Sequence, residues 1–101
     1  MGAAGKKLVS VRTPNVPGYS GRVDGVKYEA VKDVLLAVLP SRAPGMTQEE
    51  MLQAARPRLP RDLFPGGAKS GWWVKCVQLD LEARGKLARD RSARPLRWTR
   101  R

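Results

Sequence analysis

Ser70-Gly71-Trp72-Trp73-Val74-Lys75-Cys76-Val77-Gln78-Leu79-Asp80-Leu81-Glu82-Ala83-Arg84, then Gly85-Lys86-Leu87-Ala88-Arg89-Asp90, is the stretch in which the chain changes its period. Up to Arg84, the apolar residues Trp72, Trp73, Val74, Cys76, Val77, Leu81 and Ala83 cover more than half of a cylinder that turns about 100° per residue. The spacing predicts a mostly buried helix from about Ser70 to Arg84, with Lys75, Gln78 and Glu82 sharing its remaining face. Gly85 stands where a left-handed residue ends a helix. Beyond it the period falls to two: Leu87 alternates with Lys86 and Arg89, and Leu96 and Trp98 alternate with Arg97 and Thr99. Two short strands around a basic turn, Asp90 to Pro95, predict a hairpin.

Upstream, Tyr28, Val31, Val34, Leu35, Val38 and Leu39 recur at three- and four-residue spacing and predict a first helix. Asp24 can cap its start and Pro40 marks its end. A second helix opens on Thr47, whose hydroxyl can accept from the Glu50 amide while the Glu50 carboxylate returns to Thr47. Met51, Leu52, Ala54 and Ala55 supply its inner face and Pro57 limits it. Three prolines between Arg56 and Pro65 predict a loop, with a short turn around Asp62 to Phe64. Residues 1–22 read as an extended N-terminal arm holding one edge strand at Leu8 to Val11. The remainder, 23–101, reads as one domain.

Helix, link, helix, helix, basic hairpin is the order of a winged helix-turn-helix, mainly α with a small β-hairpin. Gly45-Met46-Thr47 sits where that fold often has a short first strand. A generic three-helix bundle with a disordered tail is the structural alternative. The link between the second and third helices exceeds ten residues, whereas a helix-turn-helix usually turns in three or four. That length counts against close docking of the third helix on DNA.

With 42% apolar and 29% charged residues in 101, the composition is that of one globular domain rather than a disordered chain. The longest apolar run, Val34 to Leu39, is far below the roughly 20 residues that cross a bilayer. Met1 to Ser10 has no apolar stretch of signal-peptide length, and Lys6 stands where a myristoylation start wants Ser or Thr. These exclusions lead to the expectation of a cytoplasmic protein without a membrane partner. Twenty Lys and Arg against nine Asp and Glu give a net charge of +11. The last 18 residues hold eight bases and one acid, Asp90, and so carry +7 of it. Such a balance speaks of anionic partners and solubility; a merely solubilising tail is the plainer reading.

Catalytic chemistry finds little to work with. The chain has no histidine, hence neither the commonest general base nor a Ser/His/Asp or Cys/His nucleophile system. A single cysteine makes no internal disulfide and no zinc site of the usual ligand set, so Cys76 reads as a small buried hydrophobe. Asp80 lies at the spacing to pair with Arg84 as a structural ion pair. Gly66-Gly67-Ala68-Lys69-Ser70 resembles a phosphate loop but has Ala68 and Leu63 where that motif requires glycine. The turn could still offer backbone N–H groups and Lys69 to one phosphate, or simply let the third helix pack closely. Trp72 and Trp73 diverge by roughly 100° on a helix, so at least one is core. Trp73 and Trp98 are expected inside, and Trp72 is left open.

Asp62-Leu63-Phe64-Pro65-Gly66-Gly67-Ala68-Lys69, Gly71-Trp72-Trp73 and Val77-Gln78-Leu79-Asp80-Leu81-Glu82-Ala83 resemble a family of small bacterial proteins classed as a domain of unknown function. Asn15-Val16-Pro17-Gly18 and Pro95-Leu96-Arg97 fit the same family, which implies no particular activity.

These readings converge on a non-enzymatic domain, without cofactor or metal, that binds nucleic acid: DNA first, in a regulatory capacity, with RNA as a further option. The candidate contacts are Lys69, Lys75, Gln78, Arg89, Arg91, Arg94 and Arg97. Arginine forks on the hairpin suit phosphate oxygens and narrow grooves, and Lys75 and Gln78 could reach a major groove. The alternative is an interaction module that docks an acidic protein surface.

Overall fold

Local hydrogen-bonding chemistry sets most of the element boundaries. A computed structural model describes residues 7–16 and 18–101. β1 (Leu8–Val11) and β2 (Gly21–Asp24) lead into α1 (Gly25–Val38) and α2 (Gln48–Ala55). α3 (Ser70–Ala83), β3 (Leu87–Asp90) and β4 (Arg97–Arg100) follow. Asp24 caps α1, its Oδ1 accepting from the amides of Val26 at 2.9 Å and Lys27 at 3.3 Å. The α2 capping box closes in both directions, Glu50 N to Thr47 Oγ1 at 3.1 Å and Thr47 N to Glu50 Oε1 at 3.0 Å. Thr47→Ala should therefore lower stability by about 1 kcal/mol in a denaturant titration; an unchanged midpoint would show the box to be dispensable.

At the end of α3, Gly85 has φ +80°, its amide donates to Glu82 O at 3.0 Å and the Lys86 amide to Leu81 O at 2.8 Å. This six-to-one and five-to-two pair reverses the chain within two residues and launches β3. β3 and β4 pair antiparallel, Leu87 opposite Arg100 and Asp90 opposite Arg97. Met46 adds a one-residue bridge to β4, exchanging both backbone hydrogen bonds with Trp98 at 2.9 and 2.8 Å. Gly45 beside it has φ +76°, and a Cβ there would lie 2.5 Å from the Trp98 carbonyl oxygen. Only glycine lets the two backbones approach so closely.

The three helices enclose one core. Val31 and Leu35 of α1, Met51 and Ala55 of α2, and Val74, Val77 and Leu81 of α3 meet at its centre. Leu59 and Phe64 from residues 56–69 close one side, Leu87 and Trp98 of the hairpin another. The link between α2 and α3 is ordered by two short 3₁₀ turns, Arg56–Arg58 and Pro65–Gly67.

The N-terminal arm differs from the single edge strand expected. β1 pairs antiparallel with β2, Leu8 opposite Asp24 and Val11 opposite Gly21, and Val11 enters the core. The first six residues of that arm, and Pro17, lie outside the described residues. The hairpin is pinned by Asp80, a fully buried carboxylate on α3. It accepts from the Tyr28 hydroxyl of α1, from the Arg12 amide at 2.8 Å and from Arg84 Nε at 2.9 Å. Arg84 Nη2 in turn donates to Ser10 O at 3.0 Å. Burial, and then the bond to Asp80, holds the Tyr28 hydroxyl well above its ordinary pKa, so it remains a donor.

Candidate nucleic-acid interface

The basic hairpin is rooted on α3 through one carboxylate. Glu82 Oε1 accepts from Arg89 Nη2 at 3.0 Å and from Trp98 Nε1 at 2.9 Å, while Arg89 Nε lies 2.9 Å from Glu82 Oε2. The Arg89 guanidinium also sits 5.4 Å from the centre of the Trp98 ring. Arg89 is thus 13% exposed and tied to α3, which corrects its expected role as a free cation of the wing. A guanidinium neutralised by a nearly buried carboxylate has little charge to offer a phosphate. Arg97 is partly engaged as well, with Nη1 donating to Gly45 O at 3.0 Å and to Glu50 Oε1 at 3.3 Å. It joins β4 to the capped start of α2.

At the tip, Asp90 Oδ1 accepts from the Ser92 amide at 2.9 Å and hydroxyl at 2.6 Å. Those bonds to Ser92 hold the Asp90 carboxyl below its ordinary pKa. Arg94 Nη1 donates to the carbonyls of Arg91 at 2.7 Å and Ala93 at 2.9 Å, which braces the turn. Arg91 and Arg94 themselves are exposed.

α3 is rotated from the orientation expected. Gln78 is 1% exposed, so it cannot reach a groove, and its place in the interface is withdrawn. α3 packs against α1, α2, β1 and β3, and four neighbours cover more of the cylinder than two would. The open face instead carries Trp72, Lys75 and Leu79, with Trp72 56% exposed and Trp73 at 7% inside. Lys75 is exposed, as is Lys69, which takes a left-handed φ of 59° directly before the helix. The glycine turn preceding it is largely self-contained: the Gly67 amide donates to Phe64 O at 2.9 Å and the Ala68 amide to Pro65 O at 3.0 Å. Arg56 Nε bridges to Ser70 Oγ at 3.0 Å, so this segment anchors the start of α3.

Four of the seven expected contacts therefore stay exposed: Lys69 and Lys75 at α3, Arg91 and Arg94 on the hairpin turn. Among the described residues no group of three His, Cys, Asp or Glu gathers to hold a metal ion, and no helix is long and apolar enough to cross a membrane.

No curated protein and no solved structure matches the chain. A family model does match, over residues 8–98, from the first residue of β1 to Trp98 of β4. It spans the N-terminal hairpin, α1, α2, α3, β3 and the first two residues of β4. The chain belongs to DUF6958, a family of unknown function.

Proposed function

We propose that this chain is a non-enzymatic nucleic-acid-binding domain on a winged-helix plan, gripping phosphates through the basic hairpin as its wing. The order α1, Met46 bridge, α2, α3, β3, β4 supports the plan, because Met46 pairs with the second wing strand. The observation that carries the function is the wing tip. Arg91 and Arg94 stand exposed on a turn braced by its own hydrogen bonds, so little backbone ordering entropy remains to be lost there on contact. Lys69 and Lys75 on the α3 side extend the cationic surface. Contacts of this kind go to the backbone and specify no sequence.

Each phosphate contact displaces condensed counterions, so log affinity for duplex DNA falls linearly with log salt. Changing Arg91 and Arg94 together to Ala should weaken binding to all sequences alike and make that slope shallower by about two units. Anisotropy titrations at several salt concentrations read both effects. Neither side chain makes a core contact, so melting should move little. Unchanged affinity in the folded double variant would remove the wing from the interface and favour docking on an acidic protein surface.

A further inference from the structure

α3 carries more apolar surface than the core uses. Trp72, Cys76, Leu79 and Ala83 follow one another at four-, three- and four-residue spacing, which makes a single stripe about 16 Å long on its open side. The N-terminal hairpin forms the opposite wall. A cavity of about 310 Å³ separates Trp72, Cys76 and Leu79 from Tyr19 and Arg22. It continues past Tyr19 and Arg12 into a second, of about 590 Å³, beside Ala83. On the other flank of Trp72 lies a third, of about 530 Å³, bordered by Lys27 and Lys69. Shared walls at Trp72 and Tyr19 make these one trough.

Two rings stand open in it, Trp72 at 56% and Tyr19 at 51% exposure. Trp72 is braced edge-on against buried Trp73, ring centres 5.2 Å apart, so its outer face is presented in a fixed pose. Arg12, Arg22, Lys27 and Lys69 surround the rings. The carboxylates bordering the trough are engaged elsewhere: Asp24 caps α1, and Glu82 holds Arg89 and Trp98. Burial pushes the Cys76 thiol up to about 11, so it adds no negative charge at neutral pH.

We infer that this trough takes single-stranded nucleic acid, with an unpaired base stacked on Trp72 and its phosphates against the flanking Arg and Lys side chains. The inference rests on the nucleic-acid reading above and names the form of the ligand. Separate exposed rings among cations are what a strand with free bases uses, since every base has a π-face and every nucleotide a charge. An amphipathic peptide helix would instead want a continuous aliphatic groove for anchors three and four residues apart. A fully paired duplex offers no free face to Trp72.

The test uses the full chain and an eight-nucleotide oligothymidylate. Trp73 and Trp98 are buried, so quenching of tryptophan emission reports Trp72. The strand should quench emission, and Trp72→Ala should weaken its binding about 10-fold, in the range of one lost base–aromatic stack. Trp72→Tyr should retain most of the affinity, and Arg22→Glu should lose it, with melting curves showing each variant folded. Undiminished strand binding in folded Trp72→Ala overturns the inference. So does quenching by an acidic leucine-containing peptide where oligothymidylate causes none, which gives the trough to a protein. Salt-dependent duplex binding without any quenching by the strand overturns the inference and leaves the wing reading standing. No binding of either nucleic acid overturns both.

Discussion

Trp73→Ala is expected to cost about 3–5 kcal/mol, as truncation of large aromatic side chains in cores does. Trp73 is 7% exposed and meets Phe64 edge-on, ring centres 6.1 Å apart, where residues 56–69 fold back on α3. Removing the indole would leave Phe64 facing a void and loosen the segment that positions Lys69. Small domains have total stabilities of only about 5–15 kcal/mol, so the variant should be partly unfolded near room temperature. Its neighbour supplies the control. Trp72→Ala removes a ring of similar size from a largely solvated site and should cost under about 1 kcal/mol. Paired melting curves read the contrast directly. Equal losses at the two positions would mean that the open face of α3 is wrongly assigned.

The second large effect belongs to Asp80. Asp80→Ala should cost about 3 kcal/mol, the lower end for breaking a buried ion pair, because Arg84 is 35% exposed and can rehydrate. The loss should be local in character. Asp80 holds the Arg12 amide, Tyr28 and Arg84 at one point, and Arg84 carries the tie on to Ser10. Amide exchange across β1 and β2 should therefore accelerate more than exchange in α2, none of whose residues is among these polar partners of Asp80. Uniform acceleration, or a loss below about 1 kcal/mol, would show that the N-terminal hairpin is held by Val11 and its neighbours rather than by this carboxylate.

What the sequence made legible was what short-range chemistry decides. Thr47 and Glu50 are three residues apart, Asp24 and Val26 two, and Gly85 follows its helix directly, so caps and ends were readable. The change of period after Gly85 exposed the basic hairpin for the same reason. β2 was not legible: Gly21-Arg22-Val23-Asp24 has weak strand character of its own and becomes a strand by pairing with β1. Nor was the rotation of α3. Which arc of an apolar helix is covered depends on which neighbours it acquires, and here the arc that holds Gln78 is covered rather than the one that holds Trp72. The arginines divide likewise. Arg91 and Arg94 lie on a turn, meet no carboxylate and stay exposed, whereas Arg89 and Arg97 meet Glu82 and Glu50, the latter 47 residues distant. The one signal for the trough was apolar surplus: eight apolar residues on the third helix, Leu79 among them, exceed what a half-buried face needs.

Phosphate binding by a cationic surface is the proposal on which the roles given to the wing and to α3 depend. Its most direct measurement is the affinity of the unmodified chain for a fluorescent DNA duplex, followed by anisotropy across a range of salt. Four exposed contacts, Lys69, Lys75, Arg91 and Arg94, should give a straight line of log affinity against log salt with slope about −3.6, from roughly −0.9 per phosphate. No measurable duplex binding at low salt, in a chain of net charge +11, would contradict it.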